Sequence, residues 1–178
     1  ERFSNKTAIA PTASISIICG GSSPGIEPIA ANSYTHKTLS GSFNVRNKYL
    51  KKILSKYKKD TDDVWSSITT NQGSVSHLDF LTAEEKDTFK TAFEIDQRWI
   101  VELGADRTPH ISQAQSINIF IPADIHKKDL HNLHFQAWKK GLKSLYYCRS
   151  KSIQRAENVN KGTSTDVTKN VYSQGQES

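Results

Sequence analysis

The stretch from 117 to 150 constrains the fold most. Ile117, Ile119 and Ile121 alternate with Asn118 and Phe120, and Pro122 closes the run. A period of two is the mark of a strand. A helix is predicted from Asp129, where Leu130, Leu133, Ala137 and Trp138 share one face and Gly141 stands near the end. Residues 143–150, KSLYYCRS, read as a second strand. Strand, helix and strand within about 34 residues make a βαβ unit, and such a crossover predicts a parallel pair. The chain is therefore read as α/β.

The rest of the chain supplies helices and loops around that unit. Residues 7–19 are short, β-branched and apolar on either side of a Pro-Thr-Ala-Ser turn, and the run before Cys19 reads as strand-like. The Gly, Ser and Pro of 19–28 predict a loop, and 30–45 reads as extended or irregular. From Asn47 to Tyr57 the lysines leave Leu50, Ile53, Leu54 and Tyr57 on one face, which predicts an amphipathic helix. One helical turn is expected at Val64–Ile68. Thr82 with Glu85 forms a capping box behind Leu81, with Phe89, Ala92 and Phe93 following at helical spacing. Another helix is expected over 97–105, stopped by Pro109. The division is one unit over 1–157 and a flexible polar tail over 158–178.

Bulk properties exclude several classes. No stretch approaches the roughly 18 apolar residues of a membrane helix, and the start has no signal pattern, so a cytoplasmic setting is expected. The absence of methionine and the start at Glu1 lead us to expect a piece of a longer protein. The net charge of +6 permits anion binding, and a basic nucleic-acid-binding module is the alternative it raises. The lysines of 48–60 are better read as the solvated side of a helix, and no RNP or zinc-finger pattern accompanies them. Cys19 and Cys148 form no CxxC pair and are expected to be unpaired packing residues. His131 and His134 could share a helix face near His126, but no third ligand has fitting spacing, so solvated histidines are expected.

Two places carry candidate chemistry. Pro11 pre-sets the first turn of a helix, and Thr12, Ser14 and Ser16 bring hydroxyls to it. Free amides at a helix start carry partial positive charge, so the turn could hold a phosphate as well as merely begin a helix. Tyr146 and Tyr147 are adjacent on the second predicted strand. Alternation would make one a core ring and the other a surface ring; the functional reading is a redox relay.

In order along the chain, AIAPTASIS (8–16), GIEPIAANSYTHKTLSGSF (25–43), FEIDQRWIVELGADRTPHISQAQSINIFIPAD (93–124) and HFQAWKKGLKSLYYCR (134–149) resemble the C-terminal part of the large α chain of class I ribonucleotide reductase. The resemblance implies the C-terminal portion of a ten-stranded α/β barrel, incomplete in this chain. It implies that Pro11, Thr12, Ala13, Ser14 and Ile15 hold the diphosphate of a ribonucleoside diphosphate substrate. It implies that Tyr146 and Tyr147 stack and pass an oxidising equivalent from a small β subunit towards an active-site cysteine. Such stacking would need a local distortion of the strand. The family's radical and reducing cysteines precede the Pro-Thr-Ala-Ser segment and are absent here, and 158–178 holds no cysteine pair. The resemblance thus implies an N-terminal part with ATP and deoxynucleotide effector sites, a radical-generating metal centre in the small subunit, no cofactor in this chain, and a thioredoxin- or glutaredoxin-type reductant. A membrane or nucleic-acid partner is not expected.

Overall fold

The computed structural model describes residues 2–20, 23–38 and 41–151. The expected tail, 158–178, lies outside them. The first helix, α1 (Ala13–Ile18), starts just after Pro11 and replaces the strand-like run expected before Cys19. An antiparallel ribbon follows, β1 (Ser33–Thr38) with β2 (Gly41–Arg46), where the sequence read only as extended or irregular.

Three helices come next. Helix α2 (Lys48–Lys56) is capped by the Asn47 side chain, which accepts from the Tyr49 and Leu50 amides. Helix α3 (Asp62–Thr70) is a full helix rather than one turn, because Thr61 caps it and Asp62 and Asp63 oppose the dipole in its first turn. Helix α4 (Ala83–Thr88) has the expected capping box between Thr82 and Glu85. It ends at Phe89, so Phe93 is not on a helix. Leu50, Leu54, Trp65, Ile68, Val75, Leu78 and Leu81 close into one core between these helices.

Asn32 ties this part together from a position 1% exposed. Its Nδ2 donates to the carbonyls of Gly73 (3.0 Å) and Phe89 (2.7 Å), and its Oδ1 accepts from Asn47 Nδ2 (2.8 Å). One side chain therefore joins the start of β1 to the cap of α2 and to the chain after α3 and α4. Gly73 lies at φ +82°, and a Cβ there would overlap Ala31, so glycine is required where the backbones meet.

The α/β part begins with α5 (Gln97–Arg107), continued by a 3-10 turn at Thr108–His110 that contains Pro109. The two strands β3 (Ile119–Ile121) and β4 (Cys148–Ser150) are parallel, joined by α6 (Lys127–Lys139). This is the βαβ unit read from the sequence. Helix α6 starts two residues early because His126 Nδ1 accepts from the Lys128 amide and caps it. Val101, Ile119, Ile121, Leu133 and Ala137 form the second core. Gly104 lets α5 approach the sheet, since a Cβ there would meet Ile117 Cδ1 at 2.7 Å.

The parallel pairing runs beyond β3 and β4. Ile9 bridges Gln115 in parallel, with Gln113 N donating to Thr7 O (2.9 Å) and Ser116 N to Ile9 O (2.9 Å). Residues 7–9, 113–121 and 146–150 thus lie side by side in that order. Among the described residues this sheet is open at both edges and does not close into a barrel. Apolar side chains stay exposed around it, among them Ile15, Ile17 and Ile18 on α1, Trp99 and Leu103 on α5, and Phe135 and Trp138 on α6.

This packing makes two predictions about stability. Asn32→Ala leaves the Phe89 carbonyl and Asn47 Nδ2 without their partner and the Gly73 carbonyl with only the backbone amide of residue 32, and should cost about 2–4 kcal/mol in denaturant unfolding, comparable with Leu54→Ala. Asp60 accepts from Trp65 Nε1 at 2.7 Å, and that bond, helped by Lys51, Ser55 and Arg46 against the cost of burial, holds its carboxyl below the usual aspartate range. The stability it contributes is fully present above the ordinary aspartate value and is lost as pH falls through the lowered one. Asp60→Asn should therefore flatten the acid limb of a thermal-unfolding series.

Candidate functional site

The Pro-Thr-Ala-Ser turn is the start of α1. Thr12 is the N-cap residue, yet its side chain does not cap. Thr12 N and Oγ1 both donate to the carbonyl of Pro24, at 3.1 and 3.0 Å. Ser16 Oγ is buried and donates to the carbonyl of Ala13 at 2.7 Å. Of the three hydroxyls expected to serve an anion, two are thus committed inside the protein. The exposed groups that remain are Ser14 Oγ and the amides of Ala13, Ser14 and Ile15, which take no partner among the described residues.

From Pro24 the chain turns inward to Glu27, 4% exposed. The Glu27 carboxylate accepts from the Asn118 backbone amide, and at 3.4 Å from Asn118 Nδ2. Asn118 Oδ1 in turn accepts from the Tyr147 amide at 3.4 Å. These hydrogen bonds, together with the short loop from Pro24 to Glu27, link the turn at 12–16 to the tyrosine pair across more than a hundred residues of sequence.

The tyrosines stand just before β4, not within it. Their ring centroids are 4.1 Å apart with planes inclined by 55°. The one-core, one-surface arrangement expected from alternation does not occur, and both rings are about half exposed. The backbone explains this. Ile119 pairs with Cys148 and donates to Tyr147 O, but Ile117 O accepts from Tyr146 N (2.8 Å), one residue short of where that register would continue. One extra residue is therefore accommodated at the pair: a bulge, which turns neighbouring side chains to the same side. The expected strand over 143–150 shortens to its last three residues for the same reason.

The rings share electrostatics. A hydrogen bond with Tyr147, with partial burial and the Tyr147 charge adding, raises the Tyr146 phenol above its ordinary value, and Arg149 opposes this. The Arg149 guanidinium lies 5.4 Å from the Tyr147 ring centroid, a cation–π distance.

Other expected groups are placed elsewhere. Cys19 and Cys148 are exposed free thiols, not packing residues, because they stand at the end of α1 and in β4, elements that are themselves largely exposed. His126 caps α6, His131 stacks on Phe135, and His134 Nδ1 lies 2.8 Å from Leu130 O. No group of three or more metal-ligating side chains converges among the described residues. Lys48 and Lys52 lie over the Tyr49 ring and Lys56 over Tyr57, and Lys48 Nζ also donates to Gly20 O, so part of the basic helix face is engaged within the chain. A groove of about 440 Å³ between α5 and α6 is lined by residues such as Phe93, Arg98, Ile121 and Leu133, and touches neither the turn nor the tyrosines. Sequence reading missed Glu27 and Asn118; an acid between two prolines and loops, and an Asn inside an isoleucine run, were the available signals. No described helix is long and apolar enough to cross a membrane.

An open parallel sheet with a crossover helix, flanked by further helices, makes this an α/β protein whose sheet does not close among the described residues. Residues 1–148 match the family described as ribonucleotide reductase, barrel domain, and the chain belongs to that family. The ribonucleoside-diphosphate reductase large subunit of Invertebrate iridescent virus 6 is 51% identical over 163 residues, covering 89% of this chain and 17% of the viral protein. The large subunit from Caenorhabditis elegans is 37% identical over 147 residues, 82% of this chain and 18% of that protein. The solved class Id ribonucleotide reductase alpha subunit of Actinobacillus ureae superposes with a TM-score of 0.73 at 41% identity, covering 83% of this chain and 26% of that one. The chain thus spans about a sixth to a quarter of the length of these relatives, and its open sheet is an incomplete portion of the barrel.

Tyr147→Phe removes the bond that chiefly raises Tyr146. Tyr146 should then ionise at lower pH, nearer the ordinary tyrosine value, in a fluorine NMR titration of a fluorotyrosine placed at 146.

Proposed function

We propose that this chain is the C-terminal part of the barrel of a ribonucleoside-diphosphate reductase large subunit, acting in the reduction of ribonucleotides to deoxyribonucleotides. Its contribution is a diphosphate grip at Pro11–Ile15 and a radical relay at Tyr146 and Tyr147. The observation that carries this reading is the bulged tyrosine pair, its rings in tilted contact, linked through Asn118, Glu27 and the loop back to Pro24 to the exposed start of α1.

At the grip, the amides of Ala13, Ser14 and Ile15 and the Ser14 hydroxyl point outward from a helix start, where partial positive charge favours a phosphate. Thr12 serves by holding the turn on Pro24, and Pro11 sets its entry. At the relay, one phenol gives up an electron and a proton as the neighbouring phenoxyl becomes a phenol. A centroid separation of 4.1 Å permits both transfers over a short path. The radical-generating metal centre is assigned to the small β subunit, as the family resemblance implies. The thiols that reduce the ribose, and the effector sites, are assigned to an N-terminal part of the large subunit, with a thioredoxin- or glutaredoxin-type reductant restoring them. Exposed apolar faces on α1, α5 and α6 and two open sheet edges are what a segment completed by more barrel would present.

The test is reconstitution with an N-terminal reductase part and a small subunit, reading deoxynucleotide formation. Ser14→Ala should lower kcat/KM about ten- to a hundred-fold through the loss of a bond to a charged phosphate. Tyr146→Phe or Tyr147→Phe should abolish turnover while leaving nucleotide binding intact. Turnover that survives both tyrosine changes would remove the relay from this reading.

A further inference from the structure

Glu27 is a buried carboxylate with no cation beside it. Among the described residues it takes part in no ion pair, and its side chain accepts only from Asn118. Burying such a group is costly unless hydrogen bonds offset the lost water. The loop is built around it: a Cβ on Gly25 would overlap Glu27 Oε2, and Ser23 Oγ donates to the Glu27 carbonyl.

The bulge explains what the pair is for. An extra residue in a ladder leaves one backbone amide outside the regular pairing. Here Tyr146 N takes Ile117 O, Ile119 N takes Tyr147 O, and the Tyr147 amide goes to Asn118 Oδ1. Asn118 can do this only in one orientation of its amide: Nδ2 towards Glu27 and Oδ1 towards Tyr147. Glu27 accepts from both the backbone and side-chain N–H groups of Asn118 and so selects that orientation.

We propose that Glu27 and Asn118 are positioning residues for the tyrosine pair: Glu27 orients the Asn118 amide, and Asn118 holds the bulged Tyr147 backbone that brings the two tilted phenol rings into contact. The functional arm of this proposal rests on the relay reading above; the geometric arm does not.

A reciprocal exchange tests it. Glu27→Gln sets two N–H groups against each other at Asn118, and Asn118→Asp sets two carboxylates against each other. The double variant carries both changes and restores a matched pair with the roles reversed. The side-chain amide now at position 27 donates to one oxygen of the carboxylate now at position 118. Its carbonyl still accepts from the backbone amide of position 118, and the other carboxylate oxygen accepts from the Tyr147 amide. Fluorotyrosine is placed at 147 in the full chain, and its fluorine resonance is read beside thermal unfolding and the titration of Tyr146. In the reconstituted enzyme, kcat and KM are measured for the same variants.

Each single change should shift the fluorine resonance, move Tyr146 ionisation towards its ordinary value, and lower kcat about tenfold or more with KM nearly unchanged. The double variant should recover all three, a coupling that independent sites do not show. Where a single variant proves too unstable to read, the double variant decides: a folded double with the wild-type resonance supports the proposal, and a folded double with a displaced one overturns it. A resonance that stays in place in folded single variants overturns it as well, whatever happens to turnover. A shifted resonance with unchanged kcat upholds the positioning role and counts instead against the relay.

Discussion

The contact on which the arrangement turns is the buried one between Glu27 and Asn118. A carboxylate removed from water and given no cation must be met by hydrogen-bond donors, and the donors here belong to the residue just before β3, ninety-one residues away. Meeting them draws the loop at 23–27 against the middle of the parallel sheet. The same loop carries Pro24, which receives both donors of Thr12, so α1 is placed by the same contact. On the other side Asn118 reaches the Tyr147 amide. The hydroxyl-bearing turn and the tyrosine pair, distant in sequence, thereby share one support.

Around that support the chain divides its apolar residues between two cores. One lies among α2, α3 and α4 and is tied by the Asn32 side chain; the other fills the space between α5, α6 and the β3–β4 pair. Gln97 links the two regions, since its amide serves the carbonyls of Ala92 and Ile95 while its oxygen accepts from Phe120 N at 2.8 Å. Gln115 plays a similar part at the other end of α5, bonding Gly104 O, Thr108 and Arg107. Amide side chains thus do much of the joining, which fits a chain of only 35% hydrophobic residues. The apolar side chains left outside these cores lie on α1, α5 and α6, around the open sheet.

Local features were legible because their causes are local. The capping box at Thr82 and Glu85, the amphipathic α2 and the βαβ unit each depend on residues within a turn or on a single hydrophobic period. The departures have equally specific causes. Helix α3 outgrew its expected single turn through the Thr61 cap and two acidic residues, and α4 stopped early, its Phe89 carbonyl taken by Asn32. The run before Cys19 looked like a strand from its isoleucines, yet the Pro11–Thr12 turn, anchored on Pro24, starts a helix there.

The amino-acid sequence alone determined the fold class, the parallel crossover, and which residues could carry chemistry, because periodicity, capping and residue type act over short range. It determined that two tyrosines are adjacent. Only the tertiary structure decided that their rings lie on one side in contact, because that needs a bulge whose unpaired amide is met by Asn118, which bonds Glu27. It also decided which hydroxyls of the turn remain available, since Thr12 and Ser16 are spent on carbonyls that the sequence does not place beside them. Hydrogen-bond partners across a fold are set by geometry, and geometry exists only once the distant segments have met.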